Sequence, residues 1–252
     1  MDLNEYRESA REKERINNLM NQIPHGYSNI LEIGARDGYI TRLLSDYFEE
    51  VTALDLQKPN IDISNVITVK GDVTNLEFPD NYFDVVLCAE VLEHIPTKLL
   101  KKACDEIARV AKYAIVIGVP YKQDIRNGRT TCIKCGGVNP PWGHVNIFDE
   151  QKLKELFCDV EFVSKNLVGK EKDKTNIVSA FLMNLAGNPW GTYNQEETCI
   201  YCDSKLVAPA ETTLFRQIFA KTAYIIKRIQ SIFITKSPIW IHATFRKNNE
   251  YK

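Results

Sequence analysis

The chain lacks any run of about 18 uninterrupted apolar residues, the least a helix needs to cross a bilayer, so no membrane-spanning segment is expected. It also lacks an excess of charge of either sign. Its 32 lysines and arginines stand against 33 aspartates and glutamates, a net charge of -1, and both signs are spread along the chain. Without a basic field to gather a polyanion, nucleic acid is not an expected partner. No secretory leader is visible either: segment 2–23 is charged rather than apolar, and the expected location is the cytoplasm. Internal repeats and low-complexity tracts are missing, which excludes a repeat architecture. What is present, 252 residues with 44% hydrophobic content, can bury a full α/β core and carry an insertion.

Residues 28 to 55 hold the most informative pattern. Asn29-Ile30-Leu31-Glu32-Ile33 reads as a buried strand, Gly34-Ala35-Arg36-Asp37-Gly38 as a turn, and Tyr39 to Phe48 as a helix with Ile40, Leu43, Leu44 and Tyr47 on one side. Val51-Thr52-Ala53-Leu54 follows as a second strand with Asp55 at its carboxyl end. Gly34 and Gly38 permit positive φ and let backbone approach a ligand closely. An acid about twenty residues beyond such a turn is placed to accept hydrogen bonds from two ribose hydroxyls, and Asp55 fits.

The pattern continues. Val66-Ile67-Thr68-Val69 is a third strand followed by Gly71-Asp72-Val73, and Phe83 to Cys88 is a fourth followed by Ala89-Glu90-Val91-Leu92-Glu93-His94-Ile95-Pro96. Tyr113 to Val119 is a fifth, ending at Pro120. Taken together, Leu31-Glu32-Ile33-Gly34-x-x-x-Gly38, Asp55, Gly71-Asp72 and Val91-Leu92-Glu93-His94 resemble the class I S-adenosylmethionine-dependent methyltransferases, over roughly residues 24 to 165 plus a last strand near 239 to 246.

The resemblance implies a Rossmann-like, doubly wound α/β sheet of seven strands, the last antiparallel. It implies S-adenosylmethionine as cofactor, the glycine turn facing its methionine part, Asp55 its ribose, and Asp72 with Val73 its adenine. The implied cofactor set is Glu32, Gly34, Arg36, Gly38, Asp55, Leu56, Asp72, Val73, Cys88 and Ala89, with Glu90 toward the acceptor. One position departs from the family: Arg36 stands where many relatives have glycine. Its side chain must swing aside, to meet the methionine carboxylate or to pair with Asp37.

Four of the seven cysteines form two pairs, Cys132-Ile133-Lys134-Cys135 and Cys199-Ile200-Tyr201-Cys202. Thiolates at this spacing bind one tetrahedral ion, and Gly136 and Gly137 relieve the first turn while N–H groups face sulfur, so a structural Zn2+ site is expected. About 60 residues separate the pairs, against about 15 to 20 in a compact ribbon, so the fold must join them. A redox pair and unliganded thiols are the alternatives, and a disulfide is disfavoured in a reducing compartment. Cys88, Cys104 and Cys158 lie in apolar patterns and are expected in the core.

Between the pairs, Pro140 to Phe148 leads into a helix from Asp149 to Phe157. His144 in this stretch is a candidate general base toward an acceptor hydroxyl, with a zinc ligand and a structural histidine as competing readings. His94 is expected to cap or pack a helix after the fourth strand, and Glu90 to line the acceptor pocket. His25 and His242 show no partner pattern.

The expected domain plan is a core of residues 1–168 and 238–252, with an amino-terminal helix at 2–23, a first cysteine loop at 129–146, and an insertion at 169–237. Val160 to Val168 and Ile239 to Arg246 read as a hairpin that this insertion splits. Within it, Thr213 to Thr235 places Phe215, Ile218, Ile225, Ile229 and Ile232 at helical spacing among Arg216, Lys221, Lys227 and Arg228. Such a helix either packs on its own protein or lies on an anionic membrane surface through 213–236, at the inner face. The acceptor is expected to be a small molecule or a glycan or lipid-linked precursor, methylated at oxygen. Two other classes compete: a nicotinamide-dependent oxidoreductase, which normally shows G-x-G-x-x-G rather than this G-x-x-x-G, and a zinc scaffold that binds a nucleoside without turnover. The sequence leaves the oligomeric state open.

Overall fold

The computed structural model describes residues 7–210 and 213–247. Its helices are α1 (Ala10–Met20), α2 (Tyr39–Leu44), α3 (Thr97–Val110), α4 (Glu150–Leu156), α5 (Ile177–Leu185) and α6 (Leu214–Phe233). Its strands are β1 (Asn29–Ile33), β2 (Glu50–Asp55), β3 (Val66–Lys70), β4 (Phe83–Ala89), β5 (Ala111–Pro120), the short pair β6 (Thr130–Thr131) and β7 (Val138–Asn139), then β8 (Glu161–Val168) and β9 (Trp240–Arg246).

Seven strands form one sheet in the order β3-β2-β1-β4-β5-β9-β8. The first five are parallel, and β9 runs antiparallel to both β5 and β8. This is the seven-stranded Rossmann-like sheet with a reversed last strand that the sequence implied. Alternate residues leave each strand on opposite faces. Leu31 and Ile33 join Val86, Ile115, Phe245, Leu100, Cys104 and Ile107 on one side, while Ile30 joins Val51, Val85, Leu87, Val116, Leu44 and Leu19 on the other. Helices cover both faces, which is why the central strands read as unbroken apolar runs rather than as alternation.

Several boundaries differ from expectation. Of the expected helix 2–23, residues 1–6 lie outside the described part. Ser9 interrupts what remains and caps α1, its hydroxyl accepting from Glu12 N at 3.2 Å. No helix follows β4 directly: Glu90 to Ile95 form a turn, and α3 begins only at Thr97, after Pro96. The reason is local, since the residue before a proline is driven out of the helical region. Cys158 is exposed, contrary to expectation, because it follows the end of α4, whereas Cys88 and Cys104 are buried. The insertion contains a helix that periodicity did not reveal, α5, packed against α6.

Candidate active site

The carboxyl ends of β1, β2 and β3 bring the glycine turn and two acids to a single rim. Gly34 N donates to Leu54 O at 2.8 Å and Gly71 N to Asp55 O at 2.9 Å, so each strand tip is tied to its neighbour. Gly34 (φ 86) and Gly38 (φ 76) occupy left-handed conformations, and a Cβ would collide with the Val91 side chain at the first and with Ile61 at the second. The turn therefore demands glycine at both positions. Asp55 Oδ2 accepts from Arg36 N at 2.9 Å and its Oδ1 from Gln57 N at 3.4 Å, while Asp72 Oδ1 accepts from Thr74 N at 2.8 Å.

Beside the rim opens a cleft of about 560 Å³. Glu32, Gly34 and Arg36 line it from the turn, Ala89 and Glu90 from the end of β4, and His94 and His144 from the loops beyond. Asp55, Leu56 and Asp72 lie outside this cleft, toward solvent, with Leu56 67% exposed. Val73 and Cys88 are buried, and the Cys88 side chain belongs to the core rather than to a ligand surface. Burial pushes its thiol well above the usual range.

Glu32 is the buried acid of the cleft. Desolvation raises its pKa to about 7, against the opposing hydrogen bond donated by the Thr41 hydroxyl. Arg36 does swing aside, in a left-handed conformation (φ 48), but its partner is Glu196 of the insertion, Nη2 to Oε2 2.7 Å. Asp37, the partner expected for it, pairs with Arg7 instead. Glu90 is held at φ 56, its N–H donating to Gly118 O. Its Oε2 accepts from Trp240 Nε1 at 3.3 Å, while Oε1 lies 3.9 Å from Arg15 Nη1. Burial raises the pKa of Glu90 as well.

His144 reaches the cleft because the loop that carries it is sewn to the turn after β4. Val145 N donates to Glu93 O at 2.8 Å, and the Asn146 amide donates to Leu92 O at 2.9 Å and Ile95 O at 2.6 Å. The His144 ring stands edge-on to that of His94, with centroids 4.6 Å apart. Its Nδ1 lies 2.6 Å from Gln123 Oε1, an acceptor, so Nδ1 carries the proton and Nε2 the lone pair. Burial, then the neighbouring His94, pulls its pKa down to about 3, which fixes the ring as a free imidazole at neutral pH. His94 is not a helix cap: burial, then the charge of Arg36, brings it to about 4. His242, set aside in the sequence, is fully buried with Nδ1 2.7 Å from Asn18 Oδ1.

The two cysteine pairs meet. Cys132 Sγ lies 3.7 Å from Cys202 Sγ and Cys135 Sγ 3.6 Å from Cys199 Sγ, and all four sulfurs lie within 4.8 Å of one another. A tetrahedral ion with Zn–S bonds of about 2.3 Å would hold its sulfurs about 3.8 Å apart, so the four thiols fit Zn2+. Gly137 N points at Cys135 Sγ from 3.4 Å, as the glycine pair implied. The hydroxyl and N–H of Ser204 draw Cys202 down to about 6, toward the thiolate that a metal needs. His144 belongs to a different cluster from these cysteines.

The insertion supplies walls that sequence reasoning missed. Glu171, Lys174, Gln195 and Glu196 line the cleft, and Gln195 Oε1 accepts from Trp142 N at 2.5 Å. Their only sequence signal was position inside a hairpin insertion, which says nothing of direction.

Residues 31–114 match the family model described as a methyltransferase domain. Among curated proteins, the chain is 30% identical over 93 residues to the uncharacterized methyltransferase YcgJ of Bacillus subtilis (strain 168), spanning 33% of this chain and 36% of that protein. It is 32% identical over 94 residues to the ubiquinone biosynthesis O-methyltransferase of Rickettsia typhi (strain ATCC VR-144 / Wilmington), spanning 32% of this chain and 38% of that protein. The matched part thus spans little more than a third of either relative. Among solved structures, the N-methyltransferase NodS from Bradyrhizobium japonicum WM9 in complex with S-adenosyl-l-homocysteine superposes with a TM-score of 0.54 at 14% identity, covering 96% of this chain and 90% of that one, a likeness of fold.

Proposed function

We propose that the protein is an S-adenosylmethionine-dependent methyltransferase whose acceptor, a small molecule or a glycan or lipid-linked precursor, enters the cleft between the sheet and the insertion and is methylated at oxygen. The observation that carries this reading is the shared rim, where Gly34, Gly38, Asp55 and Asp72 stand together, in a chain whose segment 31–114 matches a methyltransferase domain. The NodS structure holds S-adenosylhomocysteine on the same fold, and the R. typhi relative is named as an O-methyltransferase.

The residues fit the cofactor. The two left-handed glycines fold the turn tightly over the strand tips, the Asp55 carboxylate at the end of β2 suits a ribose diol, and Asp72 suits the adenine edge. Glu32 supplies a carboxylate beneath the cationic end. Bound there, the cofactor supplies a methyl group on an activated sulfonium, so the protein's task is mainly to orient the acceptor and exclude water. Glu90, Trp240 and His144 face the space left for the acceptor, and the Nε2 lone pair of His144 is free to accept a hydrogen bond from its hydroxyl and orient it.

In this reading the four cysteines hold a structural Zn2+ that fastens the insertion to the loop 129–146. Residues 213–236 touch an anionic membrane face. On α6 only Ala220 and Ala223 are buried, while Phe215, Ile218, Ile225, Ile229 and Ile232 are exposed beside the exposed Arg216, Lys221 and Arg228. Lys227 turns away from that face, to Asp173 Oδ1 at 2.9 Å. The oxidoreductase reading has only β1, the turn and Asp55 in its favour.

Calorimetric titration with S-adenosylhomocysteine and with NAD separates the two. Binding of the first alone is expected, and Asp55→Ala should weaken it by about 1.5 to 3 kcal/mol, the worth of charge-assisted hydrogen bonds. Unchanged affinity removes Asp55 from the site, and preferential NAD binding overturns the reading.

A further inference from the structure

We propose that Glu93, His94 and His144 form a binding site for one divalent first-row transition-metal ion at the floor of the cleft, distinct from the four cysteines. Each of the three offers a ligand atom, and these atoms lie within 4.8 Å of one another. An ion with bonds of about 2.1 Å holds its donors about 3.0 to 3.4 Å apart, so the cluster as it stands is slightly expanded and contracts on the ion.

Three observations point to a cation. Glu93 is fully buried, yet neither of its carboxylate oxygens has a hydrogen-bond partner. A buried carboxylate without partners is costly unless it is neutralised by a proton or a metal. Second, the neighbouring imidazoles arrive from two separate loops, and the Asn146 and Val145 bonds to the turn after β4 hold those loops together. Third, Gln123 occupies Nδ1 of His144 and leaves Nε2 as the lone-pair atom, the outer-shell bond by which proteins set the tautomer of a ligating histidine.

The donor set selects the class of ion. Two imidazoles and one carboxylate suit Mn2+, Fe2+, Co2+ or Zn2+, whereas Mg2+ and Ca2+ favour sites made of oxygen alone. Three protein ligands leave open positions, and both histidines line the cleft, so an oxygen atom of the acceptor can complete the coordination. This use of the ion rests on the methyltransferase reading above. With Nε2 of His144 engaged by the ion, the ion replaces the histidine as the group that activates the acceptor: a hydroxyl ligated there loses its proton to water while the oxygen–carbon bond forms. The carbon–sulfur bond of the sulfonium donor breaks at the same time, its electron pair remaining on sulfur.

The test uses the full chain, already loaded with Zn2+ at the cysteines, titrated with Mn2+ alone and followed by electron paramagnetic resonance. Mn2+ is a poor match for thiolates, so the cysteine site does not compete. One Mn2+ per chain is expected, and Glu93→Gln and His94→Ala should each weaken it tenfold or more. Circular dichroism checks the fold of both, and because His94 lies in a surface turn, its variant keeps the test valid if Glu93→Gln does not fold. Absence of Mn2+ binding to the wild type, or equal binding by folded variants, overturns the proposal and leaves Glu93 as a protonated core acid. S-adenosylhomocysteine binding, measured in parallel, reports on the methyltransferase reading independently: it can fail while Mn2+ binds, and the reverse.

Discussion

Glu32 shows how one residue can serve two purposes at odds with each other. Its place on β1, one residue before the last of the strand, buries it in the sheet, and the desolvation raises its pKa from 4.5 to about 7. Between those values the folded chain holds a proton that the unfolded chain has released. The associated stability is full below pH 4.5 and is lost as pH rises to about 7. Chemical denaturation of the ligand-free protein should therefore show stability falling across that window by roughly 3 kcal/mol more in the wild type than in Glu32→Gln. Parallel pH profiles for the two proteins would place the buried proton elsewhere. A carboxyl poised near neutrality is also ready to ionise when a cation arrives, which suits the cleft it lines.

Arg36 is the other instructive residue. Sequence alone placed a cation in the glycine turn and offered it two partners, the methionine carboxylate of a cofactor and Asp37; the second is replaced by Glu196, 160 residues away. The backbone conformation of the turn was legible from Gly34 and Gly38. The direction of a long flexible side chain was not, since it depends on which distant acid the fold brings near.

At the scale of elements, the cysteine knuckles divide cleanly into what local spacing specifies and what it cannot. Each Cys-x-x-Cys pair forms its own turn, with Cys132 N donating to Gly137 O and Cys199 N to Ser204 O. That the pairs close on one another depends on the hairpin β8–β9 and on the helices between. Metal analysis of the purified protein should give one Zn2+ per chain, and Cys135→Ser should lower that stoichiometry and raise protease sensitivity of 169–237 before that of the sheet. Full zinc content in the variant would discard the four-thiolate site. α5 escaped notice for a related reason. Ile177-Val178-Ser179-Ala180-Phe181-Leu182 is apolar nearly all round, so it gives no period, and its exposed Ile177, Val178 and Phe181 deny it the usual amphipathic signature.

The molecule as a whole presents one unbalanced surface. The exposed apolar side chains of α5 and α6 adjoin each other through the packing of those helices, and Lys221, Arg228 and Lys236 are exposed nearby. Among the described residues, no helix is long and apolar enough to cross a membrane, so contact with a bilayer would be lateral. Co-sedimentation with vesicles containing anionic lipid is expected, weakening with salt and with Ile225→Glu or Ile229→Glu. Equal binding to neutral and anionic vesicles, or none, would exclude an electrostatic membrane contact.

The residues themselves determined the order of the seven strands of the main sheet, the glycines of the first turn, the acids at the strand tips and the pairing of cysteines within each knuckle. Each of these is set by interactions among neighbours in the chain: side-chain periodicity, backbone sterics and short turns. Only the tertiary structure decided that the four cysteine sulfurs come within 4.8 Å of one another, that Arg36 meets Glu196, that Cys158 is exposed, and that Glu93, His94 and His144 converge. The three meetings depend on contacts between segments 50 to 160 residues apart, whose geometry is fixed only when both faces of the sheet are packed.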